Sequence, residues 1–571
     1  MTTATHVEGT NAAAPFTLKV HRGESMVLLA MDWRNGEPPS DFVGFAIEYK
    51  EPKGTQFFAL NNRVGFKTAA GAVNPQTLST KLSPIQKFRW VHFPFHAEID
   101  GDYTYRVTPV FMDAADALIY KQAQEVEIAL GLDTYPGELN VAFTRGFVSS
   151  QAFVDNYTKD GHTIAEMLPA TAAKGLTFVP THPLEKKALE WMGFESRDAI
   201  LGLLDDANAD KNATVRVVAY DLNEPEVVSR LESLGARLRI IIDDSKGHTT
   251  GSAENQAATR LKASAGAANV IRQKMLNLQH NKFIVVDGPV CKTVVCGSTN
   301  FSWRAFFVQA NNAVVLHGAG PVAVFGAAFE EYWLSDPKAF QSSPPAAKWV
   351  DAGLPSVKAM VTFSPHSATN AVLATMADYI QAHTTSNLFF SLAFLYQTAG
   401  AMRDAIKKLV ADDKIFIYGM SDRRVGGLDI QEPSGNLAFV EPAALAKNLP
   451  QPFKAEPTGG GGIRMHHKFI VMDFGKPNAR VFLGSYNFSK PADVQNGENL
   501  LVFQDDRVVT AYVVEALRLF DHYQFRVKQQ DSEDNNAVLA LARPPRAAGE
   551  LPWWKKFYTD PRKVKERKLF A

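Results

Sequence analysis

The chain has 571 residues, a length that exceeds one ordinary domain and allows roughly three or four units with cores of their own. Its composition, 46% hydrophobic and 21% charged, is that of a soluble globular protein. The 60 basic and 60 acidic side chains cancel, so the net charge gives no indication of a polyanionic partner.

The first 16 residues contain neither the basic nor the apolar region of a secretory signal, and no run of about 18 uncharged apolar residues occurs in the chain. We therefore expect a cytoplasmic protein with no transmembrane segment, although export without a cleavable signal fits the same sequence. Cys291 and Cys296 are five residues apart. On a strand they would face opposite directions, which disfavours a disulfide and fits a reducing compartment.

Residues 15–131 contain short alternating or apolar runs separated by turn-rich pieces, which is typical of an all-β sandwich domain. The stretch DGDYTYRVTPV resembles the tyrosine-corner strand of immunoglobulin and fibronectin type III domains. We expect this domain to bind a substrate surface or a partner, or to brace the remainder of the chain.

Helical stretches alternate with apolar strands from residue 132 onward, so we predict an α/β fold with a parallel sheet covered by helices. The order of segments occurs twice, and we predict two pseudo-symmetric α-β-α copies at residues 132–345 and 346–535, related by an approximate two-fold axis. Residues 536–571 form a basic, aromatic tail. It is predicted either to dock as a helix on the body or to touch a membrane surface or nucleic acid.

Two segments next to the repeated motifs are predicted to be loops. Residues 246–267 form a polar insert rich in Gly, Ala and Ser before the first motif, and EPTGGGGIRM precedes the second. Four consecutive glycines favour a hinge or lip at the site, or a flexible connector.

Each copy contains a His-x-Lys pair at the start of a strand, HNKFIVVD from His280 and HHKFIVMD from His466. Because strand side chains alternate, Lys282 shares a face with His280 and Lys468 shares a face with His466, while His467 points to the other face. A lysine on the histidine face would repel a cation, so we do not predict a metal site at the adjacent histidines.

A second strand in each copy leads into GSTNFS (297–302) or GSYNFS (484–489). The Gly-Ser turns and asparagines add hydrogen-bond donors next to the lysines, and together these groups can form a pocket for a doubly ester-linked phosphate. Two histidines across such a pocket can divide the chemistry, one attacking phosphorus and the other protonating the departing oxygen. The predicted phosphate ligands are Lys282, Lys468, Ser298, Asn300, Ser485 and Asn487.

The duplicated motif and its Gly-Ser-x-Asn sequel resemble the paired HxKxxxxD motifs of the phospholipase D superfamily, and the resemblance covers about residues 140–531. It implies a two-step phosphodiester transfer through a phosphohistidine, without a metal or other cofactor. The catalytic residues that it implies are His280, Lys282, Asp287, His466, Lys468 and Asp473.

The resemblance also implies an acidic residue eleven positions after the motif asparagine, in hydrogen-bonding contact with a catalytic histidine. The second copy has Glu498 at this position, and the first copy has Asn311. A carboxylate stabilises an imidazolium better than an amide does. If Glu498 lies behind His466, that histidine is the acid and His280 is the nucleophile, as in much of the family.

Two functions from the same family fit these residues. Two motifs in one chain, aromatic segments near them and the tail favour a phospholipase D acting on phospholipid head-group esters at a membrane surface by hydrolysis or transphosphatidylation. The alternative is a metal-independent endonuclease or DNA phosphodiesterase. The arginines of MSDRRVGG could contact a phosphate backbone and favour this alternative, whereas the zero net charge weakens it. A binding scaffold without activity is disfavoured because both His-Lys pairs are intact, and one chain supplies both halves of the site, so a monomer suffices.

Overall fold

The structure, a computed structural model, describes residues 4–97, 99–146, 157, 161–347, 349–393, 395, 400–421, 439–440 and 465–571. The chain forms two compact units, the sandwich unit (residues 1–132 and 510–571) and the two-copy unit (residues 133–509). The last sequence-based boundary, at residue 535, differs from this division. The helix Asp506–Asp534 crosses from one unit to the other, so most of it belongs to the sandwich unit.

The sandwich unit contains two antiparallel sheets with the strand orders β1-β2-β3-β6 and β5-β4-β7-β8, and β9 pairs with β7. Its strands are β1 (His6–Glu8), β2 (Phe16–Gly23), β3 (Met26–Trp33), β4 (Phe42–Lys50), β5 (Phe58–Ala59), β6 (Arg89–His92), β7 (Gly101–Met112), β8 (Leu118–Tyr120) and β9 (Gln124–Leu130). Alternate residues of β9 are buried, as expected for a strand with one face on a core. The all-β sandwich prediction is confirmed.

Two further features of the sandwich unit follow from aromatic residues. The hydroxyl of Tyr103 lies 2.6 Å from the carbonyl oxygen of His96, which is the backward hydrogen bond of a tyrosine corner. In the tail, Trp554 and Phe557 are buried in the same core as the strands, and Trp553 Nε1 donates to Phe42 O at 3.0 Å. The tail therefore packs on the sandwich.

The first copy contains a seven-stranded sheet in the order β10-β16-β15-β14-β11-β12-β13. Its strands are β10 (Leu139–Phe143), β11 (Thr214–Ala219), β12 (Leu238–Asp243), β13 (Val270–Gln273), β14 (Phe283–Asp287), β15 (Lys292–Gly297) and β16 (Asn312–His317). Its helices are Glu185–Ala209, Pro225–Ser233, Ala253–Ala265, Trp303–Phe307, Ala319–Trp333, Pro337–Phe340 and Pro344–Ala347.

The second copy contains an eight-stranded sheet in the order β17-β18-β24-β23-β22-β19-β20-β21. Its strands are β17 (Val350–Asp351), β18 (Lys358–Ser364), β19 (Asn387–Leu392), β20 (Phe416–Met420), β21 (Phe439–Val440), β22 (Lys468–Met472), β23 (Arg480–Gly484) and β24 (Glu498–Gln504). The helices that follow residue 348 are Leu373–His383, Ala401–Ala411, Lys490–Val494, Asp506–Asp534, Lys556–Thr559 and Pro561–Phe570.

The two sheets have the same order from β10 to β13 and from β18 to β21, which confirms the internal repeat. The expectation of a parallel sheet was wrong in part, because both sheets are mixed. Strands β11 and β12, joined by a helical crossover, run parallel, whereas β14 and β15 are joined by a short connection and run antiparallel. Strand β16, which follows the short helix Trp303–Phe307, is antiparallel to β15 as well.

The insert at residues 246–267 is not a loop, because it contains the helix Ala253–Ala265. The Ser252 side chain accepts a hydrogen bond from Asn255 N, and Gly266 ends the helix with φ +94°. Cap residues at both ends of an alanine-rich stretch are a helix signal that the polar composition concealed. The glycines of EPTGGGGIRM lie outside the described residues.

Both cysteines are free, as predicted, and Cys296 is buried. Among the described residues, no helix combines the length and the apolar character needed to cross a bilayer.

Candidate active site

The two motif histidines lie where the copies meet. His280 precedes β14, and His466 precedes β22. Backbone bridges join Gln279 to Gly497 and Ala310 to Met465, each between a residue beside a motif and one from the other copy. These contacts exist only when both copies are folded against each other.

His280 is held by a carboxylate from the second copy. Its Nδ1 lies 2.8 and 2.9 Å from the two carboxylate oxygens of Glu498. Since both partners are acceptors, Nδ1 carries the proton and Nε2 has the lone pair, and Nε2 forms no hydrogen bond with another described residue. The expectation that Glu498 backs His466 is therefore wrong: the carboxylate crosses to the other copy.

His466 is held by the corresponding amide. Its Nδ1 lies 2.8 Å from Asn311 Oδ1 and 3.2 Å from Ser298 O, so this nitrogen is also the protonated one. Burial, followed by the nearby ammonium groups of Lys468 and Lys282, lowers the pKa of His466 well below its usual value. Both neutral imidazoles thus carry the proton on Nδ1 and the lone pair on Nε2.

Burial also lowers the pKa of His280, but here the carboxylate of Glu498 opposes the shift. The two rings therefore differ in the charge of the group behind them. A positive charge that develops on His280 is compensated directly, whereas one on His466 is not.

A second pair of crossing contacts lies behind the first. His467 is buried with its Nδ1 3.3 Å from Asn312 Nδ2, and Asn281, the corresponding residue of the first copy, accepts from Asn499 Nδ2 at 3.0 Å. His467 thus points away from the face of His466, as the alternation predicted. Its position makes it part of the interface between the copies.

The motif lysines are buried beside their histidines. Lys282 and Lys468 have side-chain nitrogens in hydrogen-bonding contact with the carbonyl oxygens of His280 and His466, respectively. Burial lowers the pKa of Lys282 to about 8, although neighbouring carboxylates, Glu498 first among them, oppose the shift. Lys282 therefore remains charged at neutral pH.

The Gly-Ser turns do not supply free donors to the pocket. The hydroxyl of Ser298 donates to Asn311 Oδ1 at 3.0 Å, and that of Ser485 donates to Glu498 Oε2 at 2.7 Å. Both serine amides donate to main-chain oxygens as well. In this arrangement the serines orient the groups behind the histidines instead of contacting a phosphate.

The motif asparagines are better placed as ligands. Asn300 is buried, and its Oδ1 forms no hydrogen bond within the described part of the chain. The same is true of Asn487 Oδ1. Because an amide oxygen only accepts hydrogen bonds, a contact with the oxygens of a diester would be made by the Nδ2 donors of these two residues.

The two motif aspartates do not reach the histidines. Asp287 ends β14, four residues or about 13 Å beyond its start, and pairs with Lys292 at 2.6 Å near the surface. Asp473 follows β22 and accepts hydrogen bonds from the backbone of Thr385 and Ser386. Their positions are structural, so of the predicted set they alone lie away from the pocket.

The sequence interpretation missed Tyr220, whose ring lies edge-on to His280 with 4.6 Å between ring centroids. It also missed Asp243, whose Oδ1 accepts from Gln279 N at 2.6 Å next to the motif. The signal was the position of both residues at the carboxyl ends of the parallel strands β11 and β12, where α/β sheets place functional groups.

Two copies of one α/β fold thus meet at two buried histidines, each in hydrogen-bonding contact with a side chain of the other copy. The sequence model of the family described as "Cardiolipin synthase, PLD-like domain" matches residues 203–333 and 445–520, one segment in each copy. Both copies of the chain are therefore similar in sequence to a phospholipase D-like family.

Among curated proteins, the mitochondrial cardiolipin hydrolase of Chlamydomonas reinhardtii is 32% identical over 108 residues, 19% of this chain. The match spans 44% of the length of that relative. A solved phosphatidylserine synthase of Haemophilus influenzae is 12% identical with a TM-score of 0.38, covering 66% of this chain and 93% of that one. Nuc, a phospholipase D family member of Salmonella typhimurium, is 23% identical with a TM-score of 0.20, and the match covers 24% of this chain and 86% of that one.

Proposed function

We propose that this protein is a phospholipase D-type phosphodiesterase that cleaves the head-group ester of a phospholipid through a phosphohistidine. The observation that carries the proposal is the pair His280 and His466, each with Nδ1 fixed from the other copy and Nε2 as its reactive nitrogen. Such a pair can form and break one phosphorus bond on each side of a single diester.

In the first step, Nε2 of His280 attacks phosphorus and the bond to the leaving oxygen breaks. That oxygen takes the proton from Nε2 of His466, which must be protonated at this point. The phosphorylated ring of His280 keeps its Nδ1 proton and is a cation, and Glu498 compensates that charge. The lysines and the asparagine amides Asn300 and Asn487 hold the non-bridging oxygens.

In the second step, the neutral His466 removes a proton from water or an alcohol. The resulting oxygen nucleophile attacks phosphorus, and the nitrogen–phosphorus bond to His280 breaks. Water gives hydrolysis, and an alcohol gives transphosphatidylation. The low pKa of His466 suits both of its roles, because a weakly basic imidazole gives up its proton readily and the anionic diester favours the protonated form.

The phospholipid substrate rests on sequence relatives. The description of the matching family names cardiolipin synthase, and the curated relative is a cardiolipin hydrolase. Cardiolipin and phosphatidylcholine are therefore the first substrates to test. The cytoplasmic location that the N-terminal sequence predicts remains a proposal.

The test incubates the purified full chain, without added metal, with cardiolipin vesicles, with phosphatidylcholine vesicles and with plasmid DNA. We expect head-group release and phosphatidic acid, with intact plasmid. Cleaved plasmid without a lipid product would contradict the phospholipase assignment and favour the nuclease. No product from any of the three would contradict both.

The adjacent histidines supply a matched control. His466→Asn removes the acid, and we expect a loss of activity on the order of 10⁴-fold. His467→Asn introduces at the neighbouring position the residue that the first copy has at Asn281, and at least about a tenth of the activity should remain. Equal loss in both variants would show that the chemistry does not depend on His466.

A further inference from the structure

A largely buried group of one histidine and three carboxylates lies beside the active site in the first copy. His248 Nε2 lies 3.2 Å from Asp221 Oδ1 and 3.9 Å from Glu254 Oε2. The donor atoms of these three residues all lie within 4.8 Å of one another. A metal ion with ligand bonds of about 2.1 Å at tetrahedral angles needs donors about 3.4 Å apart, so the spacing fits one ion.

The histidine is oriented for metal binding from behind. His248 Nδ1 lies 2.7 Å from Asp243 Oδ2, and Asp243 is in turn held by the backbone of Ser245 at 2.9 Å and of Gln279 at 2.6 Å. A carboxylate that takes the proton of one imidazole nitrogen directs the other nitrogen to a metal, as around most ligating histidines. Nε2 of His248 is thereby turned toward the two remaining carboxylates.

Glu254 provides an independent indication of a ligand. Its side chain is only 4% exposed, and Oε1 accepts from Leu222 N at 3.2 Å. Its Oε2 lies 3.9 Å from His248 Nε2 in the same group. A buried carboxylate beside a second carboxylate is costly, and a cation at this point would compensate both.

The charge of the group also calls for a cation. Three carboxylates face one imidazole and the nearby Lys282 ammonium, next to a pocket that would accept an anionic diester.

We propose that Asp221, His248 and Glu254 bind one divalent transition-metal ion of the Zn²⁺ class, with Asp243 orienting the histidine. One imidazole nitrogen and two carboxylate oxygens form a ligand set that Zn²⁺ accepts, with further positions left for water. The helix Ala253–Ala265 supplies Glu254 from its first turn. The insert at residues 246–267 thus supplies two of the four groups, His248 and Glu254.

The ion is placed to support His280 without taking part in the reaction. The ring of Tyr220 contacts His248 at 4.7 Å and His280 at 4.6 Å between centroids, so it lies between the metal ligand and the nucleophile. No motif histidine or lysine belongs to the ligand set. The ion holds this wall of the pocket and neutralises its excess negative charge.

The test treats the purified full chain with a chelator, removes the chelator, titrates with ZnCl₂ and measures bound zinc by mass spectrometry and calorimetry. We expect one Zn²⁺ per chain and a higher Tm in its presence. His248→Ala and Glu254→Gln should weaken binding at least about 100-fold, and Asp243→Asn about 10- to 100-fold. Circular dichroism checks that each variant is folded. If the ligand variants do not fold, Asp243→Asn still tests the proposal.

A second possible group serves as the control. His162, Glu166 and His182 also lie close together. Both ring nitrogens of His182 are already in hydrogen bonds, however, because Nε2 contacts Tyr157 O and Nδ1 accepts from Leu184 N. His162→Ala should therefore leave the stoichiometry at one. Absence of zinc from the wild type, or wild-type affinity in folded His248→Ala and Asp243→Asn, would overturn the proposal.

Zinc binding is measured without substrate, so its outcome is separable from the proposed function. His280→Asn should abolish turnover and still bind one Zn²⁺. A chain that hydrolyses lipid but binds no zinc would overturn this inference alone.

Discussion

The groups behind the two motif histidines differ in charge. Glu498 is a carboxylate and Asn311 is an amide, although they occupy equivalent positions eleven residues after the motif asparagines. The carboxylate lies behind His280, where in the proposed mechanism it would compensate the positive charge of the phosphorylated imidazole. This contact supports His280 as the nucleophile. The sequence predicted the same assignment with Glu498 behind His466, whereas in the structure Glu498 contacts His280.

Replacing Glu498 by Gln tests this assignment. The variant keeps a hydrogen-bond acceptor for His280 Nδ1 and removes the charge that stabilises the intermediate. We expect kcat to fall by a factor on the order of 10² to 10⁴, with a smaller change in KM. A kcat within about threefold of the wild type would show that the charge of Glu498 is not used.

The value of kcat/KM should be highest at acidic pH. The reaction needs one protonated and one neutral imidazole, and burial places the pKa values of both His280 and His466 below 6.5. Above both values no acid remains, and below both no nucleophile remains, so kcat/KM for a soluble phosphodiester should peak below pH 6.5. A peak above pH 7.5 would contradict it. Asn311→Asp, by placing a carboxylate behind His466, should move the alkaline limb to higher pH.

At the scale of single residues, the motifs identified the histidines, lysines and asparagines that the structure brings together. The pairing of Glu498 was misassigned because sequence position within one copy does not reveal contacts to the other. The motif aspartates were included from the resemblance, and the length of the strands keeps them away. Tyr220 and Asp243 are separated from the motif by whole elements, so only the sheet topology unites them.

The Gly-Ser turns show how an element fixes the site. Gly297 and Gly484 have φ values of +136° and +144°, and a Cβ on Gly484 would lie 2.3 Å from Asn499 O. Only glycine fits this approach of β23 to β24, which places Ser485 against Glu498. The turn therefore aligns the group behind the nucleophile.

We expect Gly484→Ala to lower the free energy of unfolding by about 2–4 kcal/mol and to reduce activity further than that loss explains. Gly326→Ala is the control, since Gly326 lies within the helix Ala319–Trp333 and nothing lies within 4 Å of its Cβ. It should be neutral or stabilising by up to about 1 kcal/mol. Denaturant unfolding compares the two, and equal stability would contradict the steric account.

At the scale of elements, the repeat and the alternation of helices and strands were predictable because each copy contains its own hydrophobic periodicity. The mixed sheets were not, because the direction of a strand depends on whether its connection is a short turn or a helical crossover. The helix Ala253–Ala265 was mistaken for a loop because alanine and polar residues leave a weak apolar stripe. Its caps, Ser252 and Gly266, were the better signal.

In the whole molecule, the sandwich unit is assembled from the two ends of the chain. Arg89 of β6 donates to Asp521 at 2.5 Å and to Glu566 at 2.7 Å, and all three are buried. The tail contributes Trp554 and Phe557 to the same core. The C-terminal residues are thus part of this unit's stability.

Arg89→Met tests that role, because it removes the buried cation that Asp521 and Glu566 share and leaves each carboxylate one lysine, Lys87 and Lys563 respectively. We expect the unfolding transition of the sandwich unit to lose at least about 2 kcal/mol, measured by urea denaturation of the full chain. Lys81→Met removes a half-exposed ion pair to Glu48 and should cost less than about 1 kcal/mol. Similar values for the two variants would contradict the structural role of the Arg89 network.

The central claim is that the two copies complete one reaction centre in which His280 forms the covalent bond to phosphorus. Rapid mixing of the full chain with a soluble phosphodiester, an alkaline quench that preserves phosphohistidine and peptide mass spectrometry test it directly. We predict a substrate-derived adduct on His280, enriched in His466→Asn with an activated leaving group that needs no acid. An adduct found on His466 and never on His280 would contradict the account.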